Sequence, residues 1–487
     1  MITMKKIIST GFEMGVFLFT LLSSLTLLTS CGNFFDESSQ DEVKPSTVED
    51  LRSTFFHDGY PYNFASDNYL FLLTDEVKSN GLLSTSYTSM FTSGQPVYCY
   101  DPVMFDGNVS FISDENSWKN YYKLVMGCNV ALDYVDGMTG SETDKLQLKG
   151  QARLLRAFYL LKLATIYCQP YCNNPDTNLG VSLITSSSVS DTYPSRSTLR
   201  DTYDFIEREL KMAKEELKDY TPTTKYRVTS EVADILLSRL YLYEEKWDEC
   251  IEASNEAISK GPQLSNFNSF VGTDYNVWSV DGSSEVVWNY SGRLYGSSYI
   301  DAQSLSANAI PYSLDSRVLS LYDQTNDLRY KKYIQNYGSY AFVLKTSFNS
   351  MYDGEHGVRM AEVYLNRAEA YARKALAGNG SAMAQALADI NKLRRSRYVN
   401  GTYTDITDIT SDKLLQLVLD ERQRELVWED GFRWMDIKRN HLSVTHDFID
   451  DTGNTHTYTL RADDPLYALP IPAAAVSRNP NLQQNPR

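Results

Sequence analysis

This sequence has little of three things that protein chemistry often draws on: histidine, cysteine and excess positive charge. Its five histidines are scattered, with no spacing that would gather ligands around a metal. Of six cysteines, Cys31 closes an N-terminal segment and Cys99, Cys128, Cys168, Cys172 and Cys250 remain, an odd number that does not make a disulfide framework. Cys168 and Cys172, in the run CQPYC, leave one pairing open, with unpaired buried thiols the plainer reading. Acidic residues outnumber basic ones by 62 to 46, a net charge of −16. That balance argues against nucleic acid and anionic membrane surfaces, whose phosphates call for basic stripes. After residue 30 no run approaches the roughly 20 apolar residues that a membrane span needs. Neither a metal nor a cofactor is expected.

What the chain has in quantity is aromatic: 35 Tyr, 20 Phe and 6 Trp, or 13% of its residues. At 42% hydrophobic and 22% charged it can bury a sizeable core. The first residues read as a leader. Lys5 and Lys6 precede the apolar run Met14–Leu28, and small residues follow. Glu13 sits awkwardly there and leaves the true start codon open. The run LTSC, ending at Cys31, resembles a bacterial lipobox, which implies cleavage before Cys31 and acylation (diacylglyceryl and palmitate-type chains) of that cysteine. Residues 1–30 are then a lipoprotein signal peptide and 31–45 a polar tether. Its Asp36, Glu37, Asp41 and Glu42 resemble acidic export signals of surface lipoproteins.

Helical patterning dominates two blocks. The first holds 114–136, 142–167, 197–219, 229–243 and 246–260; the second holds 357–377, 381–397 and 411–439. Ser46 and Glu49 form a capping box that starts a helix ahead of them. In the run AEVYLNRAEAYARKAL, the residues Ala361, Tyr364, Leu365, Ala368, Tyr371, Ala372 and Ala375 share one face. Leu237, Ser238, Tyr241, Cys250, Ala257 and Pro262 occupy the places where a tetratricopeptide repeat carries Leu, a small residue, Tyr, Ala, Ala and Pro. The expected fold is therefore mainly α, a tetratricopeptide-repeat-like scaffold with a loop-rich, partly β region. Scaffold is assigned to 46–79, 114–260 and 357–440, and loop-rich chain to 80–113 and 261–356, where SEVVWNY reads as a strand. A C-terminal hairpin around Thr452–Gly453 and a tail fill 441–487.

Several stretches in order resemble one family, the SusD/RagB outer-membrane nutrient-binding lipoproteins. They are RLLRAFYLLKLATIYCQPY, YPSRSTLRDTYDFIERELKMA, LLSRLYLYEEKWDECI, LYDQTNDLRY, MAEVYLNRAEAYAR, DERQRELVWEDGFRWMDIKR and the closing LPIPAAAVSRNPNLQQNPR. Cys168 stands where that family often has Gly. The resemblance implies a single domain over 46–487, with about four helix pairs and loops forming the ligand surface. It also implies a lipid-anchored protein facing outward from the outer membrane, and a SusC-like TonB-dependent transporter as partner. The cargo it implies is an oligosaccharide, less often a peptide. No reaction is implied.

Two questions of chemistry follow. Glu421, Glu425 and Glu429 recur every four residues, and glycoside hydrolysis needs two carboxylates flanking a sugar. Neighbours on one helix face point the same way, so these three read as frame, with Arg422, Arg424, Arg433, Lys438 and Arg439 at hand to neutralise them. Ligand binding reads instead from loop rings, whose flat faces suit the C–H groups of a sugar. Candidates are Tyr87, Phe91, Tyr98 and Tyr100 in the first loop region and Tyr275, Trp278, Tyr295, Tyr299 and Tyr312 in the second. Asp101, Asn276 and Asp281 are candidate partners for hydroxyls. Trp118, Tyr121 and Tyr122 sit on a patterned helix and read as core, and Thr74–Glu76 reads as an anchor. A helical-repeat protein adaptor and a surface glycosidase are the alternative functions.

Overall fold

The computed structural model describes residues 45–61, 66–106, 116–189, 191–270, 277–290, 310–345 and 356–487. The leader, Cys31 and the tether up to residue 44 lie outside these, as do Tyr275, Asn276, Tyr295 and Tyr299. Helix α1 (Val48–Asp58) is capped by Thr47. The Thr47 hydroxyl accepts from the Asp50 amide, and the Asp50 carboxylate accepts from the Thr47 amide. The capping box thus lies one residue beyond the expected Ser46–Glu49 pair. The phase that turns Val48, Leu51 and Phe55 inward fixes where the first turn begins.

The scaffold proper is α3 (Ser117–Tyr134), α4 (Glu142–Tyr167), α5 (Leu199–Glu216), α6 (Ser230–Tyr243) and α7 (Trp247–Lys260), then α8 (Met360–Leu376), α9 (Gly380–Arg397) and α10 (Ser411–Leu426). Each packs on the next, and α8 meets α7 on one side and α9 and α10 on the other. Asn116, Ser141 and Thr198 cap α3, α4 and α5 by accepting from backbone amides three residues on. The repeat positions Leu237, Ser238, Tyr241, Cys250 and Ala257 are all buried in the α6–α7 pair, as a tetratricopeptide-like hairpin requires. Among the described residues no helix is long and apolar enough to cross a membrane.

Two expectations about element boundaries change. The segment 80–113 is not loop throughout: α2 (Thr88–Tyr98) occupies its centre. The pattern expected as one helix over 411–439 breaks after Leu426, and α11 (Phe432–Arg439) begins afresh. In the break, Trp428, Asp430 and Gly431 all adopt positive φ, so the chain reverses rather than continues. Glycine suits position 431, because its φ of +75° is one that L side chains rarely adopt.

Among the described residues strands occur as four antiparallel pairs. Strand β1 (Val77–Ser79) pairs with β3 (Tyr312–Leu314), and β2 (Val286–Asn289) pairs with β6 (Gly357–Arg359). Strands β4 (Ile334–Tyr337) and β5 (Tyr340–Val343) form a hairpin, as do β7 (Val444–Ile449) and β8 (Thr455–Leu460). The last is the hairpin expected around Thr452–Gly453. The β2–β6 pair matters most for the site, because Asn289 faces Gly357 across it and the chain between those residues leaves and returns at one place. A Cβ at Gly357 would lie 2.0 Å from the Trp288 carbonyl oxygen, so only glycine permits this approach.

Candidate functional site

The candidate site is the ground beside β2 and β6, and its foundations can be followed residue by residue. Glu425, near the end of α10, is fully buried and is reached by three guanidinium groups from three elements. Arg359 at the end of β6 donates to Glu425 Oε1 at 2.5 Å, Arg397 at the end of α9 donates at 2.9 Å, and Arg329 donates to Oε2 at 2.9 Å. Glu285, beside β2, answers Arg359 and Arg397 from the other side at 2.9 Å each. Tyr333 donates to Glu425 Oε1 at 3.1 Å. Burial by itself would raise this carboxyl, but Arg397, Arg359 and Arg329 overcome that and hold it well below the usual carboxylate range. Glu421 is likewise held low against burial by Arg329, Arg424 and Arg394. Glu429, in the turn after α10, pairs with Lys345 at 2.5 Å and Arg359 at 2.8 Å.

The three glutamates are therefore frame, as expected, but their cations are mostly not the neighbours in sequence. Of the five expected, only Arg424 meets one of them, Glu421 at 2.6 Å. Arg422 pairs with Asp436, Arg433 with Asp75 and Arg439 with Glu369, while Lys438 donates to the Thr165 and Cys168 carbonyls. The break after Leu426 separates Arg433, Lys438 and Arg439 from the helix that carries Glu421 and Glu425, and these three find partners elsewhere. Glu421 and Glu425 are thus buried and ion-paired, an arrangement that suits a structural role.

A second cluster centres on Asp430. Lys162 of α4 bridges Asp430 Oδ1 at 2.6 Å and Asp67 Oδ2 at 2.8 Å. Tyr290 donates to Asp430 Oδ1 at 2.5 Å, Arg239 approaches Oδ2 at 3.4 Å, and His356 Nδ1 lies 3.8 Å away. Tyr121 donates to Asp67 at 2.8 Å. Burial would strip Lys162 of its proton, but Asp430 and Asp67 outweigh it and raise its pKa, so the cation persists. Next to this cluster is a cavity of about 20 Å³, one water site in size, lined by Asn68, Glu76, His356 and Trp428 among others.

These clusters hold residues that border 291–309 and 346–355. Tyr290 and His356 bound the segment that departs after β2 and returns at β6, and both reach Asp430. Lys345, the last described residue before 346–355, is tied to Glu429 and to the Glu425 carbonyl at 2.9 Å. Sequence reasoning missed Asp430, Lys162, Asp67, Tyr290 and His356. The Asp430–Gly431 pair was the available signal, since Asp-Gly is a turn former inside an otherwise helical pattern.

The ring candidates fare differently from the frame. Tyr87, Phe91, Tyr98, Tyr100, Trp278 and Tyr312 are all buried, so none offers the exposed platform expected of it. His446 of β7 stacks on Tyr98 at 4.1 Å and Tyr100 at 4.9 Å, and Phe91 stacks on Phe448 at 5.2 Å. Tyr100 donates to the Leu73 carbonyl, and Tyr312 donates to the Phe91 carbonyl, its ring filling the space left by Gly94. Trp278 lies beneath Gly357, with the Arg359 guanidinium 5.8 Å from its ring. The cause is legible afterwards: Tyr87, Phe91, Gly94 and Tyr98 recur at helical spacing, so α2 has one apolar face to bury. Tyr275, Tyr295 and Tyr299 lie outside the described residues. Asp101 accepts from the Val103 amide, and Asp281 is exposed. Trp118 and Tyr121 are core, as expected. Thr74 and Asp75 act as anchors, through the Phe71 carbonyl and Arg433 respectively. The five described cysteines are free thiols.

Comparison with known proteins agrees with this architecture. Residues 39–242 match the SusD-like family described as "Starch-binding associating with outer membrane", and residues 322–487 match the SusD family. The chain is 21% identical over 280 residues to SusD-like protein P25 of Formosa agariphila, an alignment covering 53% of this chain and 48% of that protein. It therefore spans about half the length of the curated relative it matches. A SusD superfamily protein of Bacteroides thetaiotaomicron superposes with a TM-score of 0.70 at 24% identity, over 91% of this chain and 100% of that one. A SusD-like carbohydrate binding protein of Bacteroides vulgatus superposes with a TM-score of 0.63 at 21% identity, over 90% and 97%. At such identities these structures speak for the fold, and the two family matches, which between them take in most of the sequence, speak for descent: the chain belongs to the SusD/RagB family.

Proposed function

We propose that this protein is a cell-surface lipoprotein that binds an oligosaccharide and passes it to a SusC-like TonB-dependent transporter in the outer membrane. Family membership is the observation that carries the reading, and a similar fold belongs to a carbohydrate binding protein. The anchor is Cys31, acylated after removal of residues 1–30. Tyr275, Tyr295 and Tyr299 are the rings we assign to the sugar platform, and the Asp430 cluster holds Tyr290 just ahead of the last two. A rigid base under variable loops is the arrangement expected of a binding site, since ordering a loop during binding costs affinity. Binding without turnover fits a frame whose carboxylates are enclosed and ion-paired.

Isothermal titration against a panel of oligosaccharides and peptides tests the proposal. Heat from one glycan class is expected, lost or weakened about tenfold by Tyr295→Ala or Tyr299→Ala with melting unchanged. Absence of heat from every class overturns it. For the anchor, Cys31→Ser should abolish labelling with a palmitate analogue and release the protein from the membrane fraction.

A further inference from the structure

We propose that Cys172, with His441 as its base and Asp463 as the positioning carboxylate, forms a surface thiol site that exchanges with small disulfides. The three residues come from the turn after α4, the turn after α11 and the turn after β8, and they meet in a line. Cys172 Sγ lies 3.7 Å from His441 Nε2, and His441 Nδ1 lies 2.5 Å from Asp463 Oδ1. The carboxylate assigns the ring proton to Nδ1 and leaves the Nε2 lone pair facing the thiol. A nucleophile, a base in reach of it and a third group orienting that base is the arrangement by which proteins activate a thiol. His441 and Asp463 both adopt left-handed backbone, φ +54° and +57°, which is uncommon outside glycine.

Its surroundings distinguish this cysteine from the others. Cys128, Cys168 and Cys250 are buried, and Cys99 is half-buried beside the Tyr458 hydroxyl rather than an imidazole. Cys172 is half-buried, while its partners stand open to solvent. The charged groups facing it are Glu245 and Asp463 on the acidic side and Arg439 and Lys438 on the basic side. Burial, with Glu245 adding to it, pushes the thiol up to about 11, so little thiolate exists unaided at neutral pH and the proton must go to His441. In the step proposed, the Cys172 S–H proton passes to His441 Nε2 as its sulfur attacks one sulfur of a disulfide RSSR. The S–S bond of RSSR breaks, and the departing RS⁻ takes the proton from His441. A protein–S–SR mixed disulfide and RSH result, with the protein sulfur oxidised and the leaving sulfur reduced.

The test uses the full mature chain carrying Cys31→Ser, with oxidised glutathione and Ellman's disulfide as probes and peptide mass mapping to locate the adduct. Cys172 should be modified first, faster than Cys99 by about tenfold or more. His441→Gln should slow it by a similar factor and change the shape of the pH–rate profile. Asp463→Asn should slow it less, and Asp463→Glu should restore it. Modification of Cys99 ahead of Cys172 overturns the proposal, as does a rate unchanged in a folded His441→Gln variant. If that variant does not fold, an unchanged rate and pH profile in Asp463→Asn decides against it equally.

Discussion

Where α8 meets α9 and α10, the contact is made by Ala361, Leu365, Ala368 and Ala372 against Leu387, Ile390, Leu414 and Val418, all apolar and all buried. Beside β2 and β6 the same depth of burial is filled by Glu285, Glu421, Glu425 and Glu429 with Arg329, Arg359, Arg397 and Lys345. The first region is held by contacts that are individually weak and tolerant of direction. The second is held by bonds that exist only when every partner is present, and whose removal leaves a charge stranded in low dielectric. A packed stack can flex and repack. A closed cluster of carboxylates and guanidinium groups fixes chain ends in one arrangement, which is what the roots of binding loops require.

The largest expected effect is at the centre of that cluster. Glu425→Gln leaves Arg329, Arg359 and Arg397 without their shared counter-ion and should lower the unfolding free energy by about 3–5 kcal/mol, read from urea melts. In the stack, Leu365→Ala removes a buried side chain from a face that can partly close over the space, at about 3 kcal/mol. A larger loss at Leu365 than at Glu425 would reverse the contrast drawn between the two regions.

Next comes a buried carboxyl. Glu76 lies beside the small cavity and accepts from the Trp428 amide at 3.3 Å, and burial pushes it up to about 8 despite Arg433 nearby. Folded protein thus keeps a proton that the unfolded chain releases above the ordinary value of 4.5. This contribution is complete below that value and is lost as pH rises toward 8. Glu76→Gln should flatten the fall by on the order of 1.4 kcal/mol per pH unit in that window. Parallel melting curves at pH 5 to 8.5 would show it, and identical slopes would mean the site titrates elsewhere. The smallest effect belongs to the surface: Arg395 pairs with Asp405 in open solvent, and Arg395→Ala should leave the melting midpoint unchanged.

Much of the helical scaffold was legible in the sequence, because apolar residues at steps of three and four leave an α-helix one face to bury. The stripe on α8 shows the limit of that reading. Ala361, Leu365, Ala368 and Ala372 announced one face, but Glu362 and Glu369, polar and off that stripe, are equally buried through Arg239 and Arg439. Periodicity reports hydrophobicity and is blind to a charge whose partner lies seventy or more residues away. The same blindness assigned the cations of Glu421, Glu425 and Glu429 to their sequence neighbours. Tyr87, Tyr98, Tyr100, Trp278 and Tyr312 were misplaced for the converse reason: Ser-, Gly- and Asn-rich surroundings suggested open loops, yet tertiary partners covered each ring.

By itself the sequence determined the fold class, the order of the main helices, the family and the structural character of the glutamate stretch, since each rests on local periodicity or on motifs read along the chain. Tertiary structure alone decided which charges meet, which rings stay dry, and that Cys172, His441 and Asp463 stand together. Those are relations between residues far apart in the chain, and they become definite only when packing brings the segments into contact.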